Sequence, residues 1–331
     1  MIVSVFSSRA YERTILDEAC SPAHTLRHHE VGLDASTASL AAGAGAVCAF
    51  VNDRIDAACL SQLARLGVRG VAMRCAGFNN VDLREAERLG IAIARVPAYS
   101  PHAVAEHTAA LLLTLNRKTH RAYNRVREQN FSLDGLMGFD LHGKVVGVIG
   151  TGKIGECFAR IMLGFGCRVI ASDPAPSREC EGLGVRYAEL DELLRQADVV
   201  SLHCPLTPTT RHLLDERRLV LLKPGAYVLN TGRGALIDTK ALIGALKGGR
   251  LGGVGLDVYE EEADLFFRDL SGEVLRDDVF ARLMTFPNVL ITGHQGFLTR
   301  EAMANIAATT RANLDGIESG TVPESNRPPR P

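Results

Sequence analysis

A chain of 331 residues has room for two domains at ~150 residues each and can bury a core without disulfide or metal staples. Its 37 lysines and arginines stand against 38 aspartates and glutamates, and a net charge of −1 excludes a DNA-wrapping or polybasic membrane-surface protein. With 46% hydrophobic and 23% charged residues, the composition is that of a folded globular chain rather than a disordered one.

The start, Met1-Ile2-Val3-Ser4-Val5-Phe6, lacks the basic n-region and long apolar run of a signal peptide and reads as a first strand. Further strands are expected over 46–51, 70–75 and 91–94, with helical periodicity over 55–67 and 83–90 between them. Ser100-Pro101 then makes a good helix start, with serine as N-cap and proline at the first helical position. Apolar positions 104, 108, 111, 112 and 115 continue one face of that helix, which is placed as the crossing between two lobes. Its most apolar stretch, 103–115, contains Glu106 and His107 and is too short to span a bilayer. A second strand series is expected over 145–149, 168–172, 199–203, 226–230, 253–258 and 289–292, with helices over 153–166 and 239–248. The last helical pattern, 300–317, follows the final strand and can return to pack on the first lobe. The tail from Thr321, with four prolines, reads as irregular. Strands alternating with helices throughout imply βαβ units and parallel sheets, so the chain is α/β.

Eight cysteines are scattered, no two closer than ten residues, and none forms a C-x-x-C pair. That pattern speaks against a zinc ribbon or redox dithiol and for reduced packing residues in a cytoplasmic protein, with no metal.

Gly150-Thr151-Gly152-Lys153-Ile154-Gly155 follows the strand at 145–149 and opens a helix. In that setting the first glycine permits a tight turn, the second lets backbone approach a pyrophosphate, and the third allows close helix–strand packing. The next strand ends at Asp173, 18 residues after Gly155, where a carboxylate can accept hydrogen bonds from a ribose diol and repel a 2′-phosphate. Pro174-Ala175-Pro176 supplies no cation for such a phosphate. NAD is therefore preferred over NADP.

Beyond this motif, strand ends carry unusual polar residues: Asn230-Thr231-Gly232-Arg233-Gly234, then Asp257 with Tyr259-Glu260-Glu261-Glu262, then Gly293-His294-Gln295. In open α/β sheets ligands bind past the carboxyl ends of strands, which makes these residues candidates for one crevice. Each also has an ordinary structural use: a capped histidine, a turn arginine, a solvated acidic patch. Residue type does not choose among Glu260, Glu261 and Glu262.

With these residues in hand, the chain resembles the NAD-dependent D-2-hydroxyacid dehydrogenase family over almost its full length, and most closely the family's bacterial fermentative lactate branch. The segments that carry the lactate likeness are 74–82 (RCAGFNNVD), 96–101 (VPAYSP), Asp264-Leu265-Phe266-Phe267 and 293–299 (GHQGFLT). The resemblance implies His294 as general acid, Glu262 as the carboxylate that orients it, and Arg233 as the clamp on the substrate carboxylate. It further implies Ala76 and Gly77 as backbone donors to that carboxylate, with Tyr99 and Phe297 lining the substrate pocket. For the cofactor it implies Gly150, Gly152, Lys153, Ile154, Gly155, Asp173, Cys204, Pro205, Thr231, Gly232, Arg233 and Asp257, the last on the nicotinamide side. One departure stands out: Gly296 occupies a position where the lactate enzymes usually carry alanine.

The implied fold is two doubly wound lobes, a Rossmann NAD-binding domain (100–296) inserted in a flavodoxin-like substrate domain (1–99 and 297–331). The implied activity is reduction of pyruvate to D-lactate with NADH in a homodimer or homotetramer. Two alternatives stay open: a larger 2-keto acid such as phenylpyruvate or oxaloacetate, and a non-catalytic NADH-sensing regulator.

Overall fold

The computed structural model describes residues 1–262 and 265–329. The chain divides into two units, Met1–Ser100 with Leu298–Pro331, and Pro101–Phe297. Ser100 thus falls with the first unit and Phe297 with the second, a residue away from the expected boundaries, because the long helix opens only at Pro101.

The first unit holds β1 (Ile2–Val5), α1 (Ala10–Cys20), β2 (Thr25–His28), β3 (Ala46–Ala49), α2 (Ala57–Arg65), β4 (Gly70–Met73), α3 (Leu83–Leu89) and β5 (Ala92–Ala94). Its sheet runs β2-β1-β3-β4-β5, parallel throughout, which is the flavodoxin-like order. Register carries across the sheet from Val5 to Cys48 to Ala72. Side chains alternate between two cores: Val47, Ala49, Val71 and Met73 face Leu60 and Leu63 of α2, while Val3, Val5, Cys48 and Ala72 face the opposite layer. Neither α1 nor β2 announces itself in the pattern. The buried face of α1 includes Glu12, which breaks its apolar stripe, and β2 is a half-exposed polar edge strand.

Glu12 is buried because Arg74, just past β4, meets it. Arg74 donates Nη2–H to Glu12 Oε1 at 2.9 Å and Nε–H to Oε2 at 3.2 Å, and also reaches the carbonyls of Phe6, Ser7 and Cys48. Nearby, buried Asp53 accepts from Ser7 Oγ at 2.6 Å and from the amides of Leu33 and Phe50. Three buried charged side chains, Glu12, Arg74 and Asp53, therefore knit together the carboxyl-terminal ends of β1, β3 and β4.

The second unit contains α4 (Pro101–Arg117), α5 (Thr119–Arg127), β6 (Val145–Ile149), α6 (Lys153–Gly164), β7 (Arg168–Ser172), α7 (Arg178–Gly182), β8 (Arg186–Tyr187) and α8 (Leu190–Gln196). It continues with β9 (Val199–Leu202), α9 (Glu216–Leu219), β10 (Ala226–Asn230), α10 (Thr239–Lys247), β11 (Leu251–Leu256), α11 (Asp278–Met284) and β12 (Val289–Ile291). The sheet order is β12-β11-β10-β9-β6-β7-β8, again parallel, with the chain reversing direction of travel at β6 and β9. This is the Rossmann arrangement, extended by one strand, and its switch point lies where the glycine motif begins. The central strands β6, β9 and β10 are buried along their whole length, which explains their unbroken apolar runs.

Helix α12 (Arg300–Ser319) then returns the chain to the first unit, where Leu314 and Ile317 complete the layer over Val3, Val5 and Ala72. The tail is not wholly irregular: Glu324–Asn326 forms a 3₁₀ turn, held by Asn326 Nδ2 donating to Asn313 Oδ1.

Candidate active site

The glycine motif has the geometry that its spacing predicts. Gly150 adopts φ +93°, and a Cβ there would lie 2.5 Å from the Cys204 amide nitrogen; a Cβ on Gly155 would lie 2.0 Å from the Gly150 carbonyl oxygen. Neither position tolerates a side chain. A Cβ on Gly152 would meet nothing within 4 Å, so the open side of the loop faces the start of α6, where Lys153 and Ile154 present their amides. These residues fit a pyrophosphate. Asp173, just past β7, folds back onto the same loop. Its Oδ2 accepts from Thr151 N–H at 2.6 Å and Thr151 Oγ1 at 3.2 Å, and its Oδ1 accepts from the Ala175 amide. Tyr187 of β8 donates its hydroxyl to Thr151 Oγ1, tying the edge strand into the cluster.

Cys204 follows β9, and burial pushes its thiol up to about 11, so it stays neutral at physiological pH. Pro205 offers its carbonyl to Thr210 Oγ1. After β10, Asn230 clamps the next turn at both ends: Oδ1 accepts the Gly232 amide and Nδ2 donates to the Arg233 carbonyl. Arg233 rests Nη1 on the Gly232 carbonyl at 2.7 Å and is only half-buried, with the rest of its fork available. Thr108 spends its hydroxyl hydrogen on the Val104 carbonyl, so Thr231 Oγ1 donates to it at 2.8 Å.

Among the three glutamates, the structure separates the roles that residue type leaves open. Glu260 accepts from His212 Nε2, Arg211 and Thr239 and so anchors its own segment. Glu261 is exposed. Glu262 meets His294: Nδ1 donates to Oε1 at 2.8 Å, with the two side chains 16% and 17% exposed. The second oxygen, Oε2, accepts the Tyr259 amide at 3.1 Å. With Nδ1 committed to a carboxylate, the ring's other nitrogen is the one that can exchange a proton with a ligand. The Phe267 ring lies 5.5 Å from the imidazole.

Asp257, directly after β11, is 1% exposed and accepts from Thr292 Oγ1 and from the amides of Gln295 and Gly296. Burial alone would raise its carboxyl, but hydrogen bonds from His107, Thr292, Gln295 and Gly296 outweigh it and hold the group below its ordinary value.

The residues implied for the substrate divide between the units. Ala76, Gly77 and Tyr99 lie in the first, where Arg95 Nη1 donates to the Ala76 carbonyl, the Cys75 thiol to that of Gly77, and Asn305 Nδ2 to that of Tyr99. Arg233, His294 and half-buried Phe297 lie in the second. Asp264 of the lactate-like segment falls outside the described residues. Among the described residues no His, Cys, Asp and Glu side chains gather as a metal site, all eight cysteines are free, and no helix is long and apolar enough to cross a membrane.

Sequence reading alone gave no role to His107 or Thr292. One signal was available: position 107 lies three residues after 104 and four before 111, on the apolar face of the long helix, where a histidine is out of place.

The chain is similar to known proteins over nearly its whole length. Residues 109–296 match the model of the D-isomer specific 2-hydroxyacid dehydrogenase NAD-binding domain. 2-Hydroxyacid dehydrogenase A of Aspergillus oryzae is 53% identical over 319 residues, 95% of this chain and 92% of that one. D-lactate dehydrogenase of Escherichia coli K12 is 50% identical over 321 residues, covering 97% and 98%. Its apo structure aligns with a TM-score of 0.90 at 49% identity, over 98% of this chain and 99% of that one. The D-lactate dehydrogenase of Aquifex aeolicus, solved with NAD and lactic acid, aligns at 0.86 with 32% identity over 96% of each chain. A domain model spanning more than half the chain, together with relatives half identical over nearly all of it, means that this chain belongs to the D-isomer-specific 2-hydroxyacid dehydrogenase family.

Proposed function

We propose that the chain is a D-lactate dehydrogenase, reducing pyruvate with NADH and a proton to D-lactate and NAD⁺, and running the reverse oxidation. The observation that carries the reading is the Glu262–His294 hydrogen bond in the unit that bears the NAD motif, in a chain half identical to a D-lactate dehydrogenase over almost its full length. Bound NADH supplies the hydride to the carbonyl carbon. His294 gives a proton to the carbonyl oxygen, while Glu262 accepts the Nδ1–H hydrogen bond and holds the ring in orientation for the transfer. Arg233 takes the substrate carboxylate with its planar fork and polarises the adjacent carbonyl. Ala76 and Gly77 act as amide donors to that carboxylate, and Tyr99 and Phe297 bound the substrate's methyl end. Gly150, Gly152, Lys153, Ile154 and Gly155 hold the pyrophosphate and Asp173 the adenosine ribose. Cys204, Pro205, Thr231, Gly232 and Asp257 flank the remainder of the cofactor.

The assembly is a homodimer or homotetramer. What supports this is a run of exposed apolar side chains on α5 and the segment after it: Tyr123, Val126, Phe131, Leu133 and Met137, the last 89% exposed. Light scattering at micromolar concentration checks it, and a monomer would overturn it. Eight free cysteines support a cytoplasmic location.

The deciding assay follows NADH absorbance with pyruvate and then determines the chirality of the lactate, beside a panel of larger 2-keto acids ranked by kcat/KM. Oxidation of NADH with another keto acid but not pyruvate would sink the substrate assignment. NADH binding with no turnover of any keto acid would point instead to a sensor. In the same assay Arg233→Lys raises KM for pyruvate by at least about tenfold, since an ammonium cannot reproduce the fork.

A further inference from the structure

His294 sits in an unusual turn. Its φ is +53°, a left-handed geometry that a non-glycine residue takes only when its surroundings insist. The surroundings here are specific. On the N-terminal side Thr292 accepts the His294 amide at its carbonyl and donates its hydroxyl to Asp257 Oδ1 at 2.5 Å. On the C-terminal side the amides of Gln295 and Gly296 donate to Asp257 Oδ1 and Oδ2 at 2.9 and 2.7 Å. One buried carboxylate thus brackets the histidine.

A third group closes the bracket from outside the turn. His107, on α4, brings Nε2 to 3.0 Å from Thr292 Oγ1 and 3.3 Å from Asp257 Oδ1. The Thr292 hydroxyl has one hydrogen, already spent on Asp257, so it meets His107 with a lone pair, and the carboxylate also only accepts. Nε2 must therefore carry a hydrogen. Helix α4 is a firm platform for it: Val104, Thr108, Leu111, Leu112 and Leu115 are buried on the same face. Gly296 lets all three side chains close in, for a Cβ there would lie 3.0 Å from Asp257 Oδ2 and 3.4 Å from His107 Cδ2.

We infer that His107 is a positioning residue for His294: its Nε2–H, shared between Thr292 and Asp257, holds the 292–296 turn in the left-handed form that directs Nδ1 of His294 onto Glu262. It touches neither substrate nor reacting atoms. The consequence for turnover rests on the reading of His294 as proton donor, but the consequence for the turn does not.

The test compares His107→Phe, which keeps a ring and removes the donor, with His107→Gln, whose amide N–H has similar reach. Amide hydrogen exchange at Gln295 and Gly296 is measured without substrate, beside steady-state kinetics with pyruvate and NADH. His107→Phe should speed exchange at both amides and lower kcat by about tenfold, while KM for pyruvate and Kd for NADH stay within about threefold of wild type. His107→Gln should restore both readouts to within about threefold of wild type. The inference is overturned if His107→Phe leaves exchange unchanged, or if His107→Gln falls as far as His107→Phe while keeping a native Tm. Should the Phe variant not fold, His107→Asn, too short to reach Thr292, takes its place. A wild-type protein that ignores pyruvate would refute the substrate reading alone, and the exchange comparison would still decide the role of His107.

Discussion

Glu262 is held at both oxygens, one by the Nδ1 hydrogen of His294 at 2.8 Å and the other by the Tyr259 amide at 3.1 Å, so the carboxylate cannot swing away from the ring it faces. Glu262→Gln keeps the size and one acceptor but replaces a charge-assisted hydrogen bond to His294 with a neutral one. The variant should lose about 100-fold in kcat/KM for pyruvate, with the Kd for NADH within about threefold of wild type. A kcat/KM within about twofold of wild type would mean the pair is structural only.

Asp173 offers a second, independent test, because its carboxylate is committed to Thr151 and Ala175, and in the cofactor placement proposed above a ribose-linked phosphate would approach it. A 2′-phosphate beside a fixed carboxylate is a like-charge contact. Asp173→Asn removes the repulsion while keeping an acceptor for the diol. The ratio of kcat/KM for NADH over NADPH should drop by at least about tenfold, mostly through a gain with NADPH. An unchanged ratio would place cofactor discrimination elsewhere.

What could be read from the sequence follows a physical divide. The glycine motif and Asp173 were legible because the cofactor role proposed for them demands fixed spacing along one strand–turn–helix unit, and the buried central strands because burial on both faces leaves unbroken apolar runs. Arg233, Glu262 and His294 came from family likeness; among residues 260–262 only contacts distinguish the members, since Glu260 meets His212 and Glu262 meets His294. His107, Thr292 and Asp257 were out of reach as a group. They come from α4 and from just past the ends of β12 and β11, and their meeting is a product of sheet order, with His107 and Thr292 185 residues apart in the chain. The edge strands β2 and β8 failed for a different reason, being short and half-exposed, with no apolar alternation to detect.

His203 carries a pH signature. Its ring packs against Phe158, with Nε2 2.9 Å from Ser201 Oγ, and burial pushes its pKa down to about 3. In the unfolded chain an ordinary histidine titrates near 6.5. Between those values the unfolded state binds a proton that the native state refuses, so stability falls as pH drops below about 6.5. The slope is at most about 1.4 kcal/mol per pH unit, and less here because the residue keeps some exposure. His203→Gln should abolish this contribution. Denaturant unfolding of both proteins at pH 7 and pH 5 isolates it: the wild type should lose about 1–2 kcal/mol more than the variant over that interval. Equal losses would show that the imidazole protonates in the folded protein.

Arg74 and Glu12 make the sharpest stability prediction, since both side chains are almost completely buried, at 1% and 3% exposure. Desolvating two charges is costly, and only their mutual contact offsets it. Arg74→Met strands the Glu12 carboxylate without its cation and leaves the carbonyls of Phe6 and Ser7 without their donor, while that of Cys48 keeps the Phe6 amide. The expected loss is about 3–5 kcal/mol in denaturant unfolding. Adding Glu12→Gln to Arg74→Met removes the stranded charge but not the orphaned carbonyls, so the double variant should recover part of the loss and stay about 1–3 kcal/mol below wild type. Recovery to wild-type stability would mean water satisfies those carbonyls, and a loss under about 1 kcal/mol in Arg74→Met would show that the pair contributes no net stability to the strand ends it joins.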